Sequence, residues 1–65
     1  MNVTIVKSPS REYLYIDGVL AAEKDHFTSD SLIEFTWGDL NYDLNHIHYN
    51  KDLNGAPQNI EDLPG

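Results

Sequence analysis

The chain has no cysteine among its 65 residues. A disulfide staple and a thiolate metal site are therefore both excluded. A small secreted scaffold would ordinarily need such crosslinks, so the absence fits a reducing compartment. Basic residues are also scarce: four Lys and Arg face eleven Asp and Glu, for a net charge of −7. Phosphates would be repelled, so direct contact with nucleic acid or an anionic membrane is disfavoured. No stretch approaches the ~20 apolar residues of a membrane span. The start, Met1 to Lys7, lacks the basic region and long apolar run of a leader. A soluble, cytoplasmic chain is expected. There is no phosphate-cradling glycine loop, no nucleophile elbow and no basic stripe. A chain this short buries only about 60% of its unfolded surface and can hardly spare a catalytic pocket. No enzyme activity and no cofactor are expected.

What is present reads as one small α+β domain over residues 1–54, followed by a flexible acidic tail at 55–65. Residues 2–7 alternate, with Val3 and Ile5 on one side and Thr4 and Val6 on the other. Residues 12–16 are aromatic and β-branched. Asp17-Gly18 then separates them from a second apolar run, the strongest short-range hairpin signal there is. The expected sheet is three-stranded and antiparallel, with its hairpin at 12–23. Leu14 and Ile16 take one face, Tyr13 and Tyr15 the other.

Thr28 is a good N-cap, and Phe27 and Leu32 have the spacing of a hydrophobic staple. Gly38 is a natural stop. A short helix over 29–37 follows, which must pack on the sheet to be stable. Residues 39–54 fit two periods. Leu40, Leu44 and Ile47 have helical spacing, whereas Leu40, Tyr42, Leu44, His46 and His48 alternate as in a strand. A helical turn near 39–45 and an extended piece at 46–50 reconcile them. The rest is irregular, with Ile60 and Leu63 as isolated apolar residues in the tail.

Charge patterning carries the functional expectation. Glu23, Asp25, Asp30, Glu34, Asp39 and Asp43 stand against one base, Lys24, giving −5 in one contiguous stretch. Asp30 and Glu34 are one helical turn apart, about 6 Å, close to the spacing of phosphates along a strand. The bland reading is a solvated helix face, since such charge keeps a small domain soluble. Like charges at that spacing slightly destabilise a helix, which leaves room for a functional reason. Tyr13, Tyr15, Trp37 and Tyr42 are candidate contact aromatics beside the carboxylates. His46 and His48 share a face if their segment is a strand, and Asp43, Asp52 or His26 would be the third ligand of a metal site. Two surface histidines are the commoner outcome of that spacing.

The run Tyr13-Leu14-Tyr15-Ile16-Asp17-Gly18-Val19-Leu20, followed by a short capped helix, resembles small accessory proteins of bacteriophage early regions. The likeness spans residues 12–37. It implies a host-takeover or anti-defence role: an anti-CRISPR protein, a DNA mimic or an inhibitor of a DNA-processing enzyme. The partner would be a basic nucleic-acid-binding protein in the host cytoplasm. Two alternatives stand beside it: a dimeric structural or assembly accessory protein, and a small metal-binding protein centred on His46 and His48.

Overall fold

The structure is a computed structural model that describes residues 1–39 and 41–64. β1 (Asn2–Lys7), β2 (Glu12–Ile16) and β3 (Val19–Lys24) are followed by α1 (Ser29–Thr36), β4 (Asp43–His48) and a short 3-10 turn at Ile60–Asp62. The sheet has four strands in the order β3-β2-β1-β4. Two of its three pairings are antiparallel, and β4 runs parallel to β1. The fold is α+β as expected, but the sheet is mixed and has one strand more than the sequence pattern indicated. The connection from β3 through α1 crosses to the far edge of the sheet, the kind of crossover that parallel strands require.

The turn residues behave as their chemistry demands. Asp17 and Gly18 both have positive φ, 50° and 84°, as a two-residue hairpin loop requires. One step into the hairpin, the register shifts between Leu14 and Tyr15, and Ala21 is the extra residue. This bulge turns Leu20 to the side of Tyr15 and leaves Ala22 on the side of Leu14.

Helix α1 starts where its cap indicates. The Thr28 side chain accepts from the Ser31 backbone N–H, and the Ser31 side chain accepts from the Thr28 N–H, closing a capping box. Phe27 and Leu32 are both buried in one cluster, which is the staple. The helix ends one residue earlier than the glycine signal indicated. Trp37 itself adopts the left-handed conformation, φ 55° and ψ 37°. The Gly38 N–H then closes on the Ile33 carbonyl at 3.2 Å. The expected helical turn near 39–45 is replaced at its far end by β4. Its Leu40 lies outside the described residues.

Two apolar clusters sandwich the sheet. Val3, Ile5, Leu14, Phe27 and Leu32 form the first, under the helix, with Ile16, Ala22, Phe35 and Tyr42 at its margin. Val6, Tyr13 and Tyr15 form the second. The C-terminal chain covers it with Leu53, Ala56, Ile60 and Leu63. The segment expected as a flexible tail is therefore docked over most of its length. The Leu20 N–H donates to Gln58 and the Ile60 N–H to Gly18, each at 2.8 Å. A Cβ on Gly18 would lie 3.5 Å from the Ile60 side chain, so turn and tail meet at contact distance. Composition misleads here because Ile60 and Leu63 look isolated in sequence, yet a sheet with two apolar faces needs two covers.

Candidate functional site

The acidic stretch is not one array. Glu23 lies on β3 and Asp43 on β4, the two opposite edges of the sheet. Three strand spacings, about 14 Å, separate them. Glu23 is also ion-paired, with Arg11 at 3.4 Å. Asp39 accepts the Asn41 N–H at 2.9 Å and so serves its own loop. Asp25 is exposed between β3 and α1. Lys24 lies beside aromatic rings, with Nζ 5.8 Å and 6.0 Å from the ring centres of Phe27 and Phe35.

The aromatic candidates divide in the same way. Tyr13 and Tyr15 are buried under the C-terminal segment, at 3% and 0% exposure, and are structural. The Tyr15 hydroxyl donates to the Pro57 carbonyl at 2.6 Å. Burial first, then the neighbouring Tyr13 and Tyr49, push its pKa up. Tyr42 is half-buried against the helix-side core. Only Trp37 is open, at 89% exposure.

Among the sequence candidates, the outer face of α1 is where carboxylate and aromatic meet. Leu32 and Thr36 point to the sheet, so residues at i, i+3 and i+4 from Asp30 share the opposite arc. These are Asp30, Ile33 and Glu34; Trp37 caps the helix just beyond them, and all four are exposed. Ile33, half exposed, is the member that sequence reasoning missed. The signal was available: apolar residues four apart, flanked by carboxylates, offset from the Leu32–Thr36 row.

Trp37 is held there at a cost. A non-glycine residue in left-handed geometry is strained by about 1–2 kcal/mol, and a bulky one is an outlier. Its ring makes almost no contact in return. Gly38 next to it is left-handed as well, φ 77°, so two successive residues take that geometry at the helix end.

Another charged cluster is structural. Glu12 is buried and accepts the Phe27 N–H at 2.9 Å and His26 Nδ1 at 3.1 Å, which ties the loop before α1 to β2. Burial raises its pKa, but the Phe27 bond and the His26 contact outweigh it, and the carboxyl lies below its ordinary value. Asp52 accepts the Ser10 N–H at 2.9 Å and the Ser10 hydroxyl at 2.8 Å, which hold its pKa down.

His46 and His48 do share one face of β4, on the helix side, but the third ligand is missing. Asp43 points to the other face, Asp52 is engaged by Ser10 and His26 by Glu12. Among the described residues no group of three metal-ligating side chains forms. Two concavities among the described residues are open to solvent. The larger, about 580 Å³, lies at Asp52–Pro57 with Asp62 and Pro64, and the smaller, about 370 Å³, lies beside Met1 and Tyr42. Among the described residues no helix is long and apolar enough to cross a membrane.

No protein-family model, curated protein or solved structure matches the chain.

Proposed function

We propose that this chain is a non-enzymatic binding protein that docks the outer face of α1 onto a basic surface of another protein. The observation that carries this reading is Trp37: an 89% exposed indole kept in a strained left-handed conformation. Strain of that kind persists where the surroundings impose it, and it clusters at binding sites. Tryptophan is also the side chain most enriched among residues that dominate interface energy. Ile33 extends the apolar contact by one turn, while Asp30 and Glu34 supply steering and register. A cationic partner surface complements both carboxylates and the indole face.

The surface proposed is one that normally holds nucleic acid, with this protein as an inhibitor that occupies it. The net charge of −7 and the resemblance to phage early-region proteins support that setting. The mimicry is narrower than the sequence suggested, because two helix carboxylates and one tryptophan take the role of the whole acidic stretch.

The test is capture from a bacterial lysate with the full chain and with two variants, Trp37→Ala and the double reversal Asp30→Lys with Glu34→Lys. The expected result is retention of nucleic-acid-binding proteins that salt or added duplex DNA releases and that neither variant retains. Capture that survives high salt and both variants rejects the reading. Trp37 is the only tryptophan, so quenching or a shift of its emission reports contact with a purified target directly.

A further inference from the structure

The two edges of the sheet are treated differently. At β3 the edge is guarded. Ala21 forms a bulge, Asn59 bridges to Val19, and Lys24 ends the strand. Bulges, lysines and covering chain are the usual devices that stop a sheet from growing. Among the described residues none of these is present at β4. Its six residues, Asp-Leu-Asn-His-Ile-His, contain no proline, glycine or lysine, and its pairing with β1 is regular from Asn2↔Asp43 to Lys7↔His48. Leu44 stands 44% exposed on it.

The hydrogen-bond phase of β4 fixes what the open side offers. The Asp43 N–H donates to Met1 at 3.0 Å and the Tyr49 N–H to Lys7 at 2.8 Å. Alternate residues of a strand face the same neighbour, so Asp43, Asn45, Ile47 and Tyr49 serve β1. Leu44, His46 and His48 therefore turn their N–H and C=O groups outward. These three residues are symmetric about His46.

We infer that β4 is the interface of a homodimer, in which two copies pair antiparallel about a two-fold axis through His46. In that register His46 lies opposite His46 of the second copy, and each Leu44 lies opposite a His48. All three outward residues on each copy then form bonded pairs, closing six inter-chain hydrogen bonds. Moving the axis to Asn45 would leave His48 without its mate in the strand. Parallel pairing would turn the helix side of one copy to the opposite side of the joined sheet.

Charge distinguishes a second copy from an arbitrary strand. One end of β4 carries Asp43, with Asp39 beyond it; the other carries His48 beside Lys7, with Lys51 beyond it, where the nearby carboxylates are engaged, Asp52 by Ser10 and Glu12 by Phe27 and His26. Antiparallel pairing sets the acidic end of each copy against the basic end of the other, which offsets the repulsion between two chains of −7. The imidazole of His48 also covers the exposed Leu44. The product is one eight-stranded sheet with both α1 helices on the same side. Two Trp37 faces would then be presented together, although the dimer stands or falls without the binding role proposed for them.

Sedimentation of the full chain over a concentration series tests the dimer. The expected species has twice the 7.4 kDa mass of one chain. His46→Lys puts two ammonium groups face to face and is expected to raise the dissociation constant roughly tenfold or more with unchanged circular dichroism. The natural absence of cysteine allows a second arm that does not depend on that variant. With a short bis-maleimide crosslinker, H46C should link to itself far faster than the exposed control D25C. L44C mixed with H48C should give the mixed dimer faster than either alone. A chain that stays monomeric throughout overturns the proposal, including the outcome in which β4 accepts only a foreign strand. So does a dimer that His46→Lys leaves intact, or equal crosslinking at positions 46 and 25.

Discussion

The two faces of this sheet are covered by different kinds of chain, and both covers work. On one side a capped helix brings Phe27, Leu32 and Phe35 onto Val3, Ile5 and Leu14. On the other, a stretch with almost no regular structure brings Leu53, Ala56, Ile60 and Leu63 onto Val6, Tyr13 and Tyr15. A helix satisfies its own backbone. An irregular cover must find partners, and here they come from the hairpin turn and from tyrosines. Tyr15 donates to Pro57, and Tyr49 donates to Pro64 at 2.7 Å. The hydroxyls that make Tyr13 and Tyr15 look like surface residues in sequence are what allow one of them to lie beneath a loop. The two prolines of this segment, Pro57 and Pro64, suit the role, since proline brings no N–H to satisfy.

Breaking each cover in turn sharpens the contrast. Ending the chain after Asn54 should have the largest effect. It strips the bonds at Gln58 and Ile60 and exposes two tyrosines, and a domain of this size has only a few kcal/mol to lose. Loss of the cooperative thermal transition is expected; a truncated chain that melts like the full one would show that the tail is dispensable. Leu32→Ala, on the helix side, should cost about 2–5 kcal/mol through lost burial and a cavity, read as a fall in the urea midpoint.

The loop that enters the helix is held by Glu12, and this gives the helix side an acid limit. The folded carboxyl titrates below its ordinary value of 4.5, so its contribution is complete above that value and is lost as the pH falls through the folded pKa. Thermal stability should decline on acidification below about pH 4.5. Glu12→Gln should shrink that decline while lowering stability at neutral pH by about 1–3 kcal/mol. Asp52, which anchors the other cover through Ser10, acts in the same direction. An acid limb unchanged in the Gln variant would move the effect to Asp52 and the tail.

The smallest effect has the opposite sign. Trp37→Gly relieves the left-handed strain and removes an indole with few contacts, so stability should rise by up to about 1 kcal/mol despite the flexibility that glycine adds to the unfolded chain. The same variant should lose binding to a basic target. Raised stability with lost binding is the signature of a residue kept for recognition.

Local signals carried much of this architecture. Asp17-Gly18 specified the hairpin, Thr28 with its Phe27–Leu32 staple specified the helix start, and the alternation in β1 and β2 sorted their residues to the correct faces. These are short-range effects, in which side chain and backbone within a few residues settle the geometry. The candidate site was only partly visible. The sequence singles out Asp30, Glu34 and Trp37 but not Ile33, and points to Tyr13 and Tyr15 as contact residues. Alternation separates the two faces of a strand but does not say which face meets water.

What the sequence determined alone is the list of elements up to Thr36, the acidic balance and the exclusion of any thiol chemistry. Tertiary structure decided three things: that β4 pairs parallel with β1, that residues 53–63 close the second face, and that Glu23 and Asp43 end on opposite edges. Each depends on contacts between residues far apart in the chain. Such contacts are chosen by the competition among all apolar surfaces for cover, which no local window contains.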